Sequence, residues 1–447
     1  MKRILSVVAV AAVAAAALTG CTSGGDSGGK VIKVAYQKFG TFTQMDAQMK
    51  RVKKQYESEY KGSTVKLIPI QAAENDYYTK LSLMNRSAST APDVAYEDTF
   101  LIKSDASAGY LAPLDSYVAK WKDWSQFPDN AKQAGQGEDG KLYGISMGTD
   151  TRALWYNKDL LSKAGVTVPW QPKTWQDVLD AAKKVKAAEP DVIPINVYSG
   201  KPSGEGSTMQ GFEMLLYGTK DTLYNTDSKK WISGSKGFTD SLQFIKDVYQ
   251  GKLGPTPEQA LDTNVGNNVA DTWLPQSKLA IDLDGSWMSG NWLKSGAAPW
   301  ADWNKVMGTA AMPTQDGAKP GSTSMSGGWT LAIGSKSKNK DAAWNFVKLA
   351  LNKENSLNYD IIASQIPVRT DVANDPKYTD SNPTNKFFSD LVKVTHFRPA
   401  TSDYPKVSNA IQVAMESVMT GQQSPEAAAK VYDSSLATAV GEKNVAK

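Results

Sequence analysis

The start of the folded region places the strongest constraint on the architecture of this chain. Residues 31–37, VIKVAYQ, alternate apolar and polar side chains as a half-buried strand does. Residues 45–60 predict an amphipathic helix, and residues 63–70, STVKLIPI, predict a second strand. This order of strand, helix and strand predicts an α/β fold with a parallel sheet.

The pattern continues along the chain. A strand-like element ends in APDVAYEDTF, residues 91–100, and residues 141–165 predict strand followed by helix. Thr174 is predicted to cap a helix, with Asp177 three positions later in place of the usual Glu or Gln. Residues 312–328 are rich in Gly, Pro and Ser, which predicts a loop or an interdomain crossing. Further helices are predicted over residues 237–250, 341–352 and 407–419.

The beginning of the chain has the order of a secretory signal. Lys2 and Arg3 precede an apolar, alanine-rich run over residues 4–18, which is too short to span a bilayer because a transmembrane helix needs roughly 20 apolar residues. Residues 18–21, LTGC, resemble the bacterial lipobox, in which the signal is cut before a cysteine that then receives lipid. We therefore expect Cys21 to be lipidated and residues 22–29, TSGGDSGG, to form a flexible linker.

The alternative is that Cys21 is an ordinary small residue of a discarded signal peptide. Cys21 is the only cysteine, so it has no partner for an internal disulfide. An exported chain with an odd thiol needs an explanation, and lipidation supplies one.

Two short motifs are rejected because their chemical context is missing. GDSGG, residues 25–29, surrounds the nucleophile of many serine proteases, but it lies in the linker and the only histidine, His396, is far away in sequence. GQGEDGKL, residues 135–142, matches two nucleotide-binding patterns. It leads into a strand-like segment instead of joining a strand to a helix, so we expect a turn there.

Composition excludes several classes of function. With 41% hydrophobic and 21% charged residues the chain is an ordinary globular protein, and the roughly 427 residues left after the signal suit two or three domains. Without Lys2 and Arg3 the 50 basic residues fall to 48, against 46 acidic ones, and this balance argues against nucleic-acid binding. With one histidine and one cysteine, neither a metal site nor a cofactor is expected.

Aromatic usage points to a class of ligand. The chain has 13 Trp and 18 Tyr against 11 Phe, an excess that favours surfaces with an apolar face and a hydrogen-bonding edge. Sugars fit such surfaces, because their rings offer C–H faces for stacking and hydroxyls for hydrogen bonds. The alternative for each tryptophan is a place in the core.

Six segments, taken in order, carry a resemblance to a known family. They are APDV (91–94), LYGIS with LWYNKDLL (142–161), PKTWQDV (172–178), LAIDLDGSWM (279–288), GGWTLAIGSKSKNKDAAWNFVKLAL (327–351) and SQIPVR (364–369). Together with the lipobox and the α/β opening, they make the chain similar to the family 1 extracellular solute-binding proteins of ABC importers, which include maltodextrin-binding protein. The chain departs from the family at LYGIS, where a proline more often follows the isoleucine.

The resemblance implies an α/β, two-lobed periplasmic-binding-protein-like fold of type II. Each lobe is expected to be a mixed, mostly parallel sheet flanked by helices, with a hinge between the lobes. Crossings between them are expected near residues 149–152, 312–326 and 363–367. The expected divisions are 1–20, lipoprotein signal peptide; 21–29, lipidated cysteine and linker; 30–149 with 326–364, N-terminal lobe; and 150–325 with 365–447, C-terminal lobe.

The resemblance also implies a function without catalysis. The protein is expected to be the substrate-binding component of an ABC importer that captures an oligosaccharide by hinge closure and delivers it to the transmembrane subunits of a permease. We expect a monomer on the extracellular face of the cell membrane, held there by the lipid anchor alone. The alanine-rich signal suits a Gram-positive bacterium.

Candidate ligand-binding residues follow from the same resemblance. Trp329 and Trp287 match cleft aromatics that can stack on a sugar, and Gly328 lies in the same GGW loop as Trp329. Asp98 and Glu97 follow the PDV strand, where the family places acceptors for sugar hydroxyls. A carboxylate suits this role because it accepts two hydroxyl hydrogen bonds, and charge-assisted bonds are strong. The alternative for the carboxylates is a solvated loop.

Four further candidates complete this set. Asp150 lies at an expected crossing, where a carboxylate can bind sugar, and Arg152 beside it is its expected partner. Phe39 lies in the loop after the first strand, and Arg369 follows the IP dipeptide of SQIPVR.

Other functions stay open at this point. The same fold could bind a non-sugar solute such as a polyamine or a polyol phosphate. A surface-anchored glycoside hydrolase would use two carboxyls across a sugar bond, and the chain has neighbouring pairs, Glu97 with Asp98 and Asp282 with Asp284, although neither lies in a hydrolase motif.

Overall fold

The computed structural model of the protein describes residues 30–40 and 42–446. The predicted signal peptide, the lipidation site at Cys21 and the linker lie outside the described residues. In the described part of the chain, no helix is both long and apolar enough to cross a membrane.

The strands of the described residues are β1 (Val31–Lys38), β2 (Thr64–Gln71), β3 (Val94–Asp98), β4 (Gly144–Thr149), β5 (Arg152–Asn157), β6 (Ile193–Asn196), β7 (Tyr224–Asn225), β8 (Lys230–Ile232), β9 (Leu279–Gly285), β10 (Met307–Ala310), β11 (Met312–Pro313), β12 (Ser322–Ser326), β13 (Gly328–Ile333), β14 (Thr395–Phe397) and β15 (Val445–Ala446).

The α-helices are α1 (Gln44–Glu59), α2 (Glu74–Asn85), α3 (Ile102–Ser107), α4 (Asp115–Val118), α5 (Asp129–Gln133), α6 (Lys158–Lys163), α7 (Trp175–Ala188), α8 (Met214–Leu216), α9 (Lys236–Tyr249), α10 (Pro257–Ala260), α11 (Val265–Asn268), α12 (Met288–Trp292), α13 (Trp303–Val306), α14 (Lys340–Ala350), α15 (Lys353–Ile362), α16 (Thr370–Ala373), α17 (Pro376–Thr379), α18 (Asn385–Asp390), α19 (Tyr404–Met419) and α20 (Pro425–Val440). Two π-helical segments are present: Gly206–Glu213 directly precedes α8, and Val269–Trp273 lies between α11 and β9.

The elements predicted from sequence periodicity are confirmed to within a few residues. The opening unit is β1, α1 and β2, and β1 pairs in parallel with β2. The three later helices predicted from the sequence are α9, α14 and α19. Residues 135–142, which match two nucleotide-binding patterns, form a turn as predicted. A bridge joins Gln136 to Leu142 ahead of β4.

The prediction of a loop over residues 312–328 is wrong in part. This segment contains β11 and β12, and β12 pairs in parallel with β14 from the other end of the chain. Its Gly, Pro and Ser content favours a loop locally, but pairing with a distant strand decides the conformation.

Helix α7 begins as the sequence predicts. The Asp177 backbone N–H donates to Thr174 Oγ1 over 3.2 Å, and the Thr174 N–H donates to Asp177 Oδ2 over 3.0 Å, which makes a reciprocal capping box. We expect Thr174→Ala to lower the free energy of unfolding by about 1 kcal/mol, because it leaves a helix N–H unpaired. Urea denaturation measures this change, with Thr167→Ala at an exposed position as the control. Equal losses in the two variants would contradict the role of the cap.

The first lobe is built on a sheet with the strand order β2, β1, β3, β13, β4. β1 pairs in parallel with β2 and β3, whereas β13 runs antiparallel to both of its neighbours. On the face covered by α1 and α14, Met49 and Phe346 pack with Ile32 and Val34 of β1. The ends of β1 and β3 and the start of β13 therefore lie side by side.

The second lobe is built on a sheet with the order β10, β5, β9, β6. β5 is antiparallel to β10 and β9, and β6 is parallel to β9. Both sheets are mixed, as the resemblance implies. Parallel pairings do not outnumber antiparallel ones in either, because β13 in the first sheet and β5 in the second run against both neighbours.

The second sheet is covered on both faces, which is why β5 is buried along its whole length. Leu154 and Tyr156 pack into one core with residues of α7, α9 and α19. Ala153 and Trp155 face the opposite side and pack into another core, which is rich in tryptophan.

Short links join the two lobes. β4 of the first sheet ends at Thr149 and β5 of the second begins at Arg152, while only Gly327 separates β12 from β13. Thr149 also forms a bridge with Ile366, which brings the third expected crossing beside the first. The strands of the two sheets fall within the expected lobes, and the limits of the lobes stay a prediction.

Candidate ligand-binding cleft

A cavity of about 240 Å³ lies between the two lobes. The first lobe lines it with residues at the ends of β1 and β3 and at the starts of β13, α1 and α2, and the second lobe with residues after β6 and around the end of β9. The sequence candidates that line it are Phe39, Asp98, Asp150, Arg152, Trp287, Gly328 and Trp329. The structure therefore brings together all the candidates except Glu97 and Arg369. Contact of the seven lining candidates with a ligand stays a prediction.

Glu97 and Asp98 are separated by the alternation of strand β3. Tyr96 and Asp98 face the cavity, and Glu97 points to the other side of the sheet, where it is fully buried near Asp105. Burial first, and then the Asp105 carboxyl, raise the pKa of Glu97 well above its usual value. Because adjacent residues of a strand face opposite sides, we remove Glu97 from the proposed site.

Trp329 is held in place by other aromatic rings. In the pairing of β3 with β13 it lies directly opposite Asp98. Its ring stacks on Tyr96 with 4.4 Å between ring centroids and 6° between planes, and the centroids of Tyr77 and Tyr78 lie 5.9 Å away. The ring is therefore a fixed, half-buried platform at the cavity wall.

Gly328 has a backbone role beside this platform. Its φ is +151°, and a Cβ added there would lie 2.6 Å from the carbonyl oxygen of Gly148. A larger residue would push β13 away from β4. Glycine therefore allows the close approach that sets the position of Trp329.

Asp150 and Arg152 form a buried ion pair at the crossing between the lobes. The Gly327 N–H also donates to Asp150 Oδ1 over 2.8 Å, so this carboxylate ties the two links together. The guanidinium carbon of Arg152 lies 4.8 Å from the ring centroid of Trp287, a cation–π contact. Arg152 is thus the partner of Asp150, and it also orients the second cleft tryptophan.

Arg369 lies outside the cavity. It is only 2% exposed, and its guanidinium donates to Asp371, to Asp123 and to the Leu351 carbonyl over 2.8 to 3.0 Å. Val368 belongs to the core of the first lobe, so this part of the expected C-terminal lobe packs on the N-terminal one. We remove Arg369 from the proposed site, because its guanidinium is bonded to residues of the protein away from the cavity.

A charged cluster that no sequence pattern marks joins the lobes. Arg398 Nη2 donates to Asp98 Oδ1 over 2.6 Å, and Arg398 Nη1 donates to Glu205 Oε2 over 3.2 Å. All three side chains are more than nine-tenths buried. The hydroxyl of Tyr78 donates to Asp98 over 2.9 Å, and that of Tyr404 to Glu205 over 3.0 Å. Asp98 of the first lobe is therefore bonded to the second lobe through Arg398.

Two lining carboxyls bind neither guanidinium. Asp284 accepts the Tyr198 hydroxyl over 2.8 Å and the Gly285 N–H over 2.7 Å, yet burial raises its pKa to about 6. Glu74 is the first residue of α2, and its side chain lines the cavity. Burial first, and then the Asp98 and Glu205 carboxylates, raise the pKa of Glu74 to about 8. These carboxyls are available to a ligand.

Most charged side chains that line the cleft form ion pairs with one another. Within residues 30–40 and 42–446, no group of three His, Cys, Asp or Glu side chains is placed to hold a metal ion. The lining carboxylates that are bonded to cations are bonded to Arg152 and Arg398.

Comparison with known proteins gives the family. The profile of the bacterial extracellular solute-binding proteins matches residues 40–356, more than half of the chain. The chain belongs to this family. In a solute-binding protein the cavity between the lobes is the place for the solute, and this one is lined from both sides.

Relatives of this solute-binding protein match it over most of its length. A probable ABC transporter-binding protein of Deinococcus radiodurans is 27% identical over 390 residues, which cover 85% of this chain and 87% of that protein. A maltooligosaccharide ABC transporter solute-binding lipoprotein of Streptococcus pneumoniae is 26% identical over 299 residues, which cover 65% of this chain and 63% of that protein.

A solved structure shares the fold. The GacH receptor of Streptomyces glaucescens, known unliganded and in complex with acarbose and an acarbose homolog, matches with a TM-score of 0.78 at 26% identity. The match covers 92% of this chain and 98% of that one. The two-lobed fold of type II expected from the resemblance is confirmed.

Proposed function

We propose that the protein is the substrate-binding component of an ABC importer and captures an oligosaccharide outside the cell. The observation that carries this proposal is a tryptophan presented to the cavity by each lobe, Trp329 by the first and Trp287 by the second, beside carboxylates. Stacking on two platforms suits a ligand of more than one sugar ring, and the carboxylates accept its hydroxyls.

The relatives support a saccharide ligand and an importer. One is named for maltooligosaccharide and as a lipoprotein of an ABC transporter, and the GacH receptor binds acarbose and an acarbose homolog. In our proposal Cys21 carries the lipid that holds the protein, as a monomer, at the outer face of a Gram-positive cell membrane.

Closure of the lobes is the proposed mechanism. A ligand that touches both Trp329 and Trp287 contacts both lobes only when they are closed, so its binding shifts the population toward the closed form. The permease then distinguishes a loaded protein from an empty one and receives the sugar. No bond of the ligand is broken, and the protein is not an enzyme.

A panel titration tests the proposal. Intrinsic tryptophan fluorescence is followed while gluco-, galacto-, xylo-, manno- and fructo-oligosaccharides are added, and thin-layer analysis then checks each sugar. A saturable change with an intact sugar is expected. Cleaved sugar would identify a glycoside hydrolase, and a saturable response to a polyamine or a polyol phosphate alone would identify a binder of non-sugar solutes. The absence of any saturable response would favour an adhesive role.

A further inference from the structure

Carboxyl groups outnumber guanidinium groups in the lining of the cleft. The two guanidiniums, of Arg152 and Arg398, are each bonded to carboxylates and are more than nine-tenths buried. An anionic solute such as a polyol phosphate would therefore find no unbonded cation among the described lining residues, and it would face an excess of negative charge. The lining acids are Glu74, Asp98, Asp150, Glu205 and Asp284.

Glu74 and Asp284 remain without a cationic partner, and they come from different lobes. Glu74, the first residue of α2, borders the cavity. Asp284 is 1% exposed and is oriented by the Tyr198 hydroxyl. Burial raises the pKa of both carboxyls, and the nearby Arg152 offsets only part of this effect. An ammonium group in the cavity would supply the missing charge.

The rings of the cleft decide between an open-chain amine and a sugar. Trp329, stacked on Tyr96, is a flat platform that a sugar ring can cover. The contact of Arg152 with Trp287 shows that a cation already rests against a ring in this cleft. A linear polyamine would use the carboxyls and leave the platforms empty, whereas a neutral sugar would use the platforms and leave Glu74 and Asp284 without a cation.

We propose that the saccharide bound here carries a protonated amine, so that the substrate class is an amino sugar. This inference rests on the proposed function and narrows it. In the bound state the sugar ring lies against Trp329, and the ammonium group lies near the carboxyl of Glu74.

Isothermal titration of a matched series tests the charge of the ligand. The probes are the β-1,4-linked trisaccharides of glucosamine, of N-acetylglucosamine and of glucose, which differ at one substituent of each ring, with spermidine as the open-chain amine. At pH 7 we expect the glucosamine trisaccharide to bind at least tenfold more tightly than either neutral one and than spermidine.

Variants test the position of the amine. Glu74→Gln should weaken the glucosamine trisaccharide about tenfold and the neutral ones much less, because the glutamine oxygen still accepts hydroxyl hydrogen bonds, whereas Asp129→Asn, at a side chain 92% exposed, should change neither. The carboxyl of Glu74 is mostly protonated at pH 7, because its pKa is about 8, and an ammonium group nearby favours the ionised form. Binding should therefore release protons in the wild type and fewer in Glu74→Gln, as titration in two buffers of different ionisation enthalpy shows.

The outcomes separate this inference from the proposed function. Neutral trisaccharides that bind as tightly as the glucosamine one would overturn the inference and leave the proposed function standing. Spermidine binding without any sugar binding, here or in the wider panel, would overturn both. Failure of the glucosamine trisaccharide while other oligosaccharides of the panel bind would overturn the inference alone.

Discussion

Replacement of Arg398 by glutamine is expected to open the ligand-free protein and to weaken its fold. Arg398 bonds Asp98 of the first lobe and Glu205 of the second over 2.6 and 3.2 Å. Without the guanidinium two buried carboxylates face each other across the lobes, and removal of one partner of a buried ion pair costs about 3–5 kcal/mol. The lobes can relieve part of this cost by moving apart, because separation hydrates both carboxylates.

Small-angle scattering and urea denaturation measure the two effects. We expect a larger radius of gyration for ligand-free Arg398→Gln and a lower free energy of unfolding. Arg369→Gln is the matched control, since Arg369 is as buried but is bonded to Asp123, Asp371 and the Leu351 carbonyl, on the first lobe. That variant should lose stability and keep the wild-type radius. If Arg398→Gln also keeps it, the ion pair does not hold the lobes together.

The sequence alone predicts those parts of the structure that depend on neighbouring residues. The alternation of VIKVAYQ gave β1, and the spacing of Thr174 and Asp177 gave the capping box of α7. The segment GGWTLAIG marked Trp329, but its position opposite Asp98 depends on the pairing of β13 with β3, which joins parts of the chain more than 200 residues apart in sequence. Local periodicity carries no information on such a neighbour.

Two errors about the cleft have simple physical causes. The motif places Glu97 beside Asp98 in sequence, but strand alternation puts neighbouring residues on opposite sides of the sheet, and the same rule selects Tyr96. Arg369 follows a family motif, but its guanidinium forms ion pairs with Asp123 and Asp371, away from the cavity.

The lining carboxyls and the arginine outside the candidate ligand-binding set differ in the sequence signal that marks them. Glu74 and Asp284 lie at the start of a helix after β2 and at the end of β9, the strand and helix ends where α/β proteins bind ligands. Arg398 and Glu205 have no such signal, because only tertiary packing brings them to Asp98.

Trp329→Ala is expected to lower the affinity for the bound oligosaccharide about thirtyfold. The ring is fixed against Tyr96 at 4.4 Å between centroids and lines the cavity, so stacking on it costs little further ordering. Loss of such a rigid aromatic contact is worth about 2 kcal/mol, which corresponds to about thirtyfold in affinity. Trp329→Phe should retain part of this energy, because a smaller ring still covers part of the sugar face.

Titration calorimetry is the right measurement, because removal of a tryptophan changes the fluorescence signal itself. Trp121→Ala is the control, since Trp121 packs with Trp124, Phe127 and Trp344 and does not line the cavity. It should bind the sugar as the wild type does. If Trp329→Ala also binds with wild-type affinity, the ring only packs against Tyr96. The carboxylates and Trp287 must then provide the contacts to the sugar, and a ligand that does not stack on the first lobe becomes the better explanation of the cleft.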